Sequence, residues 1–138
     1  ARFFCSWPQK FYQGLIEELE TFGQWQFWAA GYDKGSKVSR LDNLNQVAKS
    51  LGRNPKQLDE MPTLRKELAY LWAIFVSLKN ASSGVISYTQ IKDYMAIYGD
   101  LSTFEVDAIR SLDILHSKEI NNHGWNEYAN HWHWNQRR

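Results

Sequence analysis

The sequence predicts an all-α fold: a small single-domain helical bundle of about five helices, ending in a helix-turn-helix-like C-terminal pair. Three observations predict it. Apolar residues recur at three- and four-residue spacing in one stretch after another. Two helix-start signals of the same design stand within 20 residues of each other, at Ser87 and Ser102. The two-residue alternation of a strand is nearly absent, with the short Gly84-Val85-Ile86 as its one candidate.

The first helix is expected near 7–22. Ser6 can cap it, Pro8 suits a first turn, and Gln9 stands where a capping-box partner belongs. Phe11/Tyr12, Leu15/Ile16, Leu19 and Phe22 then make one helical face. Beyond Gly23, the stretch 25–30 can continue the helix or bend away, and both readings stay open. Gly31 and Gly35 bracket a loop. A second helix over 41–51 follows from Leu41, Leu44, Val47/Ala48 and Leu51, with Gly52 as its C-terminal cap. Gly52-Arg53-Asn54-Pro55 is a turn, and a loop runs on to Pro62.

The third helix, 63–79, carries Leu64, Leu68, Leu71/Trp72, Phe75 and Leu78. Residues 69–76 are apolar nearly all round, so this helix belongs in the middle of a domain or at an interface. After a polar loop over 80–84, Ser87 caps a fourth helix, 88–98, with Gln90 as box partner and Ile86 able to staple to Ile91. Gly99 ends that helix. Ser102 with Glu105, and Leu101 with Val106, repeat the design for a fifth helix, 103–118, whose apolar face holds Val106, Ile109, Leu112 and Leu115/His116. The helical domain is thus expected over 1–120, with the question open whether residues 1–60 form a separate lobe. Past Ile120, residues 121–138 form a tail rich in Trp, His and Asn.

Composition narrows the function. With 43% hydrophobic and 22% charged residues in 138, the chain has the mix of one globular domain rather than a disordered segment. Sixteen basic residues against 15 acidic leave a net charge of +1, without the cationic surplus that displaces counterions from nucleic acid. The single cysteine, Cys5, has no partner for an internal disulfide, which fits a reducing compartment. No apolar run reaches the roughly 18 residues needed to span a membrane. Seven Trp, seven Tyr and seven Phe exceed what so small a core needs, so exposed rings at a protein interface compete with an unusually ring-rich core. Trp25, Trp28, Trp132 and Trp134 are the candidate partner-binding residues.

Candidate chemical sites fail on composition. His116, His123, His131 and His133 lack the convergent ligands that a tetrahedral metal site requires, although Glu127 can share a helix face with His131. Leu78 to Tyr94 has the outline of a calcium-binding helix-loop-helix. With Gly84 at the sixth loop position, however, Lys79, Ala81, Ser83 and Gln90 fall where carboxylates must stand. Ser87 to Leu115 resembles a DNA-reading helix pair, yet Asp100, Glu105, Asp107 and Asp113 outnumber Arg110 there. No phosphate loop or nucleophile elbow occurs. Asp113, beside Leu112 on an apolar helix, is the one acid that reads as partly buried, and a buried acid is more often an ion-pair partner than a catalyst. No cofactor, metal or catalytic residue is expected.

One resemblance adds to this reading. Leu71-Trp72, Phe75 and Leu78 are followed by Ser82-Ser83-Gly84, then by Ile86-Ser87-Tyr88-Thr89-Gln90-Ile91 with Tyr94. Gly99, Leu101-Ser102, Phe104-Glu105-Val106, Ile109-Arg110 and Leu112-Asp113 complete the set. In order and spacing, residues 68–120 resemble the bacteriophage tail assembly chaperones. The resemblance implies a non-enzymatic protein of the bacterial host cytoplasm during phage assembly. Its expected partners are the tape-measure protein and other tail proteins, with a homo-oligomer also compatible. It further implies that the motif residues Leu71, Trp72, Phe75, Leu78, Gly84, Ile86, Ile91, Tyr94, Gly99, Leu101, Glu105, Ile109, Leu112 and Asp113 serve the core rather than the contact surface. Two alternatives stand beside it: a structural virion component, such as a connector or tail protein, and a phage DNA-binding regulator.

Overall fold

The computed structural model describes residues 6–123, so Cys5 and the expected tail contacts Trp132 and Trp134 lie outside the described residues. The chain forms helices α1 (Ser6–Ala30), α2 (Arg40–Leu51), α3 (Lys56–Asp59), α4 (Ala69–Asn80), α5 (Tyr88–Tyr98) and α6 (Thr103–His123), with a 3-10 turn over Lys66–Leu68 before α4. It is a small all-α domain. Among the described residues there is no strand, Gly84–Ile86 included; Tyr32 and Ser39 meet in an isolated antiparallel bridge.

Local chemistry accounts for most boundaries. Ser39 caps α2 by accepting from the Asp42 N–H at 3.1 Å, and Gly52 closes it in a left-handed conformation (φ 74°) that favours glycine. The box at Ser102 is complete: its N–H donates to Glu105 Oε1 at 2.7 Å, and its Oγ accepts from the Glu105 N–H at 3.2 Å. At Ser87 only half of the expected box forms. Ser87 Oγ accepts from the Gln90 N–H at 3.1 Å, but the Gln90 amide turns away and donates to the Leu78 carbonyl at 2.6 Å. It thereby ties α5 to the end of α4 instead of closing its own turn.

Three boundaries differ from the sequence reading. The first helix runs through Gly23 to Ala30 rather than ending near 22. Gly23 is buried, and a Cβ there would stand 2.6 Å from Leu112 Cδ2 and 3.3 Å from the Trp72 ring. The glycine lets α6 and α4 approach α1, and the surrounding helix supplies what it loses in propensity. The third helix starts at Ala69, not near 63. Residue Arg65 is extended (φ −63°, ψ 149°) and pairs with Glu18 of α1 at 2.8 Å before the chain turns into the helix. The last helix passes 118 and continues to His123, with Ile120 buried in its final turns. The loop after Gly52 also contains the short α3, led in by Pro55.

Four contacts give the direction of the main helices. Tyr12 stacks on Phe104 near the starts of α1 and α6, and Phe27 meets His116 further along both. Tyr70 reaches Glu105, and Lys79 reaches Asp113, so α4 runs the same way beside α6. Thus α1, α4 and α6 run together, with α5 returning between the last two. Leu19 and Phe27 of α1, Leu71 and Phe75 of α4, Ile91 of α5, and Ile109 and Leu112 of α6 share one buried core. Phe27, Trp72 and Phe75 lie with ring centroids 5.6 Å apart pair by pair, in tilted arrangements.

Candidate functional site

The loop between α4 and α5 closes around a buried ion pair. Lys79, in the last turn of α4, is 6% exposed, and its Nζ lies 2.7 Å from Asp113 Oδ1 on α6. The same ammonium donates to the Gly84 carbonyl at 2.8 Å, and Asp113 Oδ2 accepts from the Ile86 N–H at 2.9 Å. Charged groups lose much hydration on burial, and they persist here because each oxygen and the ammonium find partners. The loop with the outline of a calcium site is therefore held by the chain's own cation. Lys79, which stands at the first ligand position of such a loop, points its ammonium into it.

Two further groups are tuned by this packing. His116, 2% exposed and edge-on to Phe27 at 5.0 Å, has its pKa lowered to about 3 by burial and by the nearby Lys79 charge. Neutral at physiological pH, it serves as a packing group. Tyr70 donates to Glu105 at 2.6 Å, and burial together with that bond pushes its pKa up to about 12. The Tyr70 bond first, then those from Ser102, hold Glu105 below its ordinary value. Among the described residues, no group of three or more His, Cys, Asp and Glu side chains could hold a metal ion.

The motif residues divide between interior and surface. Leu71, Trp72, Phe75, Leu78, Ile86, Ile91, Ile109, Leu112 and Asp113 are buried. Tyr94, Leu101 and Glu105 are half-buried, while Gly84 and Gly99 are exposed. Gly99 has φ 108°, a backbone region that favours glycine, and its N–H closes α5 onto Met95.

The tryptophans singled out for a partner are only half-exposed where the structure describes them. Trp25 and Trp28 pack together with centroids 5.9 Å apart, and Arg40 covers the Trp28 ring at 5.5 Å. That guanidinium also donates to the Trp28 carbonyl at 2.8 Å and pairs with Asp33 at 2.9 Å, which fastens the end of α1 to the start of α2. Sequence reading missed Arg40, since nothing in its spacing marks a buried clamp. It also missed the most exposed large apolar side chains, Val85, Tyr88, Ile97 and Tyr98. Val85 falls on a loop, and the α5 residues interrupt no apolar face that a helical pattern would flag.

A family model described as "Phage tail assembly chaperone" matches residues 47–118, just over half of the chain. No curated protein and no solved structure matches. The matched region runs from the end of α2 to α6 and includes both Lys79 and Asp113.

Proposed function

The chain belongs to the phage tail assembly chaperone family, and from that premise we propose that it is a non-enzymatic binding protein that holds the tape-measure protein soluble until tail subunits replace it. Membership over residues 47–118 is the observation that carries this reading. The physical chemistry agrees with it. The buried Lys79 and Asp113 are committed to one another and to the backbone, whereas large apolar side chains on α1, α5 and α6 face water. Exposed apolar side chains on a rigid helical scaffold suit the apolar stripe of a partner helix. A partner that must later be released is best held by several moderate contacts.

In this reading the motif residues shape the scaffold. Trp25 and Trp28 contribute to partner contact through their exposed edges, and Trp132 and Trp134 are further contact candidates. Several copies of the chain act on one tape-measure protein, in the cytoplasm of the bacterial host. No described helix is long and apolar enough to cross a membrane.

Co-expression with the tape-measure protein of the same genome, followed by affinity capture and light scattering, tests the proposal. The expected result is a soluble complex with several copies of this chain per tape-measure protein. Failure to associate, together with a stable ring of this chain or its presence in purified particles, would replace the chaperone with a virion component.

A further inference from the structure

The end of the bundle where α1, α4 and α6 begin is apolar on its outside. Phe11 and Tyr12 of α1 are exposed and meet edge-to-face at 5.5 Å, and Tyr12 stacks on the half-buried Phe104 of α6 at 5.0 Å. α5 ends four residues before α6 begins, with Gly99 to Ser102 between them. Its last two residues, Ile97 and Tyr98, are 73% and 71% exposed, and Tyr98 is propped by Tyr94 at 4.7 Å. A helical domain gains nothing for its own stability from apolar side chains left this open to water.

Acids outnumber bases along the end of α5 and the start of α6, between Lys92 and Arg110. From Asp93 to Ile109 the sequence carries four acids and no Lys or Arg. Glu105 is engaged by Tyr70 and Ser102, which leaves Asp93, Asp100 and Asp107 as exposed carboxylates beside the apolar side chains. Lys10, next to Phe11, Lys66, ahead of α4, and Lys92, on α5, are opposing charges.

We propose that this apolar end, rimmed by Asp93, Asp100 and Asp107, docks a cationic amphipathic helix: an apolar stripe against Ile97, Tyr98 and the Phe11–Tyr12–Phe104 rings, flanked by lysine or arginine. The inference rests on the reading that the chain binds another protein, and it supplies the partner's chemistry and the place of contact. Apolar contact provides the holding energy, and opposite charge selects the partner and speeds encounter.

The test uses the full chain and two synthetic peptides of about 20 residues, long enough to form helices: leucine–lysine heptads and leucine–glutamate heptads. Binding is read by fluorescence anisotropy. The lysine peptide is expected to bind at least about tenfold more tightly than the glutamate peptide, and Asp93→Lys with Asp100→Lys and Asp107→Lys to reverse that order. Ile97→Ser with Tyr98→Ser is expected to weaken the lysine peptide about tenfold or more, with an unchanged circular dichroism spectrum. Ile114→Ser, at an exposed position further along α6, is expected to leave binding unchanged. Equal affinity for both peptides, or equal effects of the Ile114 and Ile97/Tyr98 substitutions, would overturn the proposal. The two readings fail separately. A tape-measure complex that survives Ile97→Ser with Tyr98→Ser removes this surface and leaves the chaperone. Peptide docking at this end without any tape-measure complex leaves the surface and removes the chaperone.

Discussion

In the interior, Lys79 and Asp113 place charged groups where water is excluded; at the starting end, Phe11, Tyr12, Ile97 and Tyr98 place apolar groups where water is plentiful. Each arrangement opposes the ordinary sorting of side chains, but the two differ in compensation. In the interior, the Lys79 ammonium and the Asp113 carboxylate are met by each other, by the Gly84 carbonyl and by the Ile86 N–H. At the end, ring contacts such as Tyr12 on Phe104 cover only part of the apolar surface. A compensated inversion fixes one packing of α4, its loop and α6. An uncompensated one leaves free energy for a partner to release.

Substitutions can break this comparison in order of effect. The largest is Asp113→Ala, which leaves the ammonium and the Ile86 N–H buried with too few partners and should cost about 3–5 kcal/mol in denaturant unfolding. Lys79→Met with Asp113→Leu removes the buried ammonium as well and should recover part of that loss, the Ile86 N–H still lacking its acceptor. A double variant no better than Asp113→Ala alone would mean that the pair is not the hub of the loop.

His116 comes next. With its pKa lowered to about 3 against an ordinary 6.5, the unfolded chain takes up the proton first as pH falls. Stability is therefore insensitive to this group above about pH 6.5 and declines below it, by about 2 kcal/mol at pH 5. Urea titrations at pH 7 and pH 5 measure the slope, and His116→Phe should flatten it. An equal slope in both proteins would assign the acid sensitivity elsewhere.

Gly23→Val should cost about 1–3 kcal/mol, since its side chain would enter the space held by Leu112 and Trp72. The smallest effect belongs to the open end. Ile97→Ser or Tyr98→Ser should change stability by no more than about 0.5 kcal/mol, as surface substitutions do. A melting temperature that falls sharply with either would show that these side chains pack inside after all.

Much of the fold was legible in the sequence, and the exceptions have physical causes. Spacing and caps located α2, α5 and the start of α6, because those signals are local: Ser102 and Glu105 satisfy each other within one turn. Gly23 misled, since a glycine reads as a breaker unless one knows that Leu112 passes over it. Ahead of the late start of α4, Arg65 is extended and pairs with Glu18, a contact between residues far apart in sequence. Asp113 could be read as a buried acid from its place beside Leu112. Its partner Lys79 could not be identified, because the pairing is a product of how α4 and α6 lie together. Expected contacts drawn from aromatic content alone fell on Trp25 and Trp28, whereas the most exposed rings of the described chain are Tyr88 and Tyr98.

Hydrogen exchange, measured on the full chain alone and in its co-expressed complex with the tape-measure protein, tests most directly whether the interior holds the fold while the open end holds the partner. The expected result is new protection over residues 93–107 and around Phe11 and Tyr12, with the Ile86 amide equally slow in both states. Protection gained elsewhere while this end stays unchanged, or loosening of the Ile86 amide on binding, would contradict it.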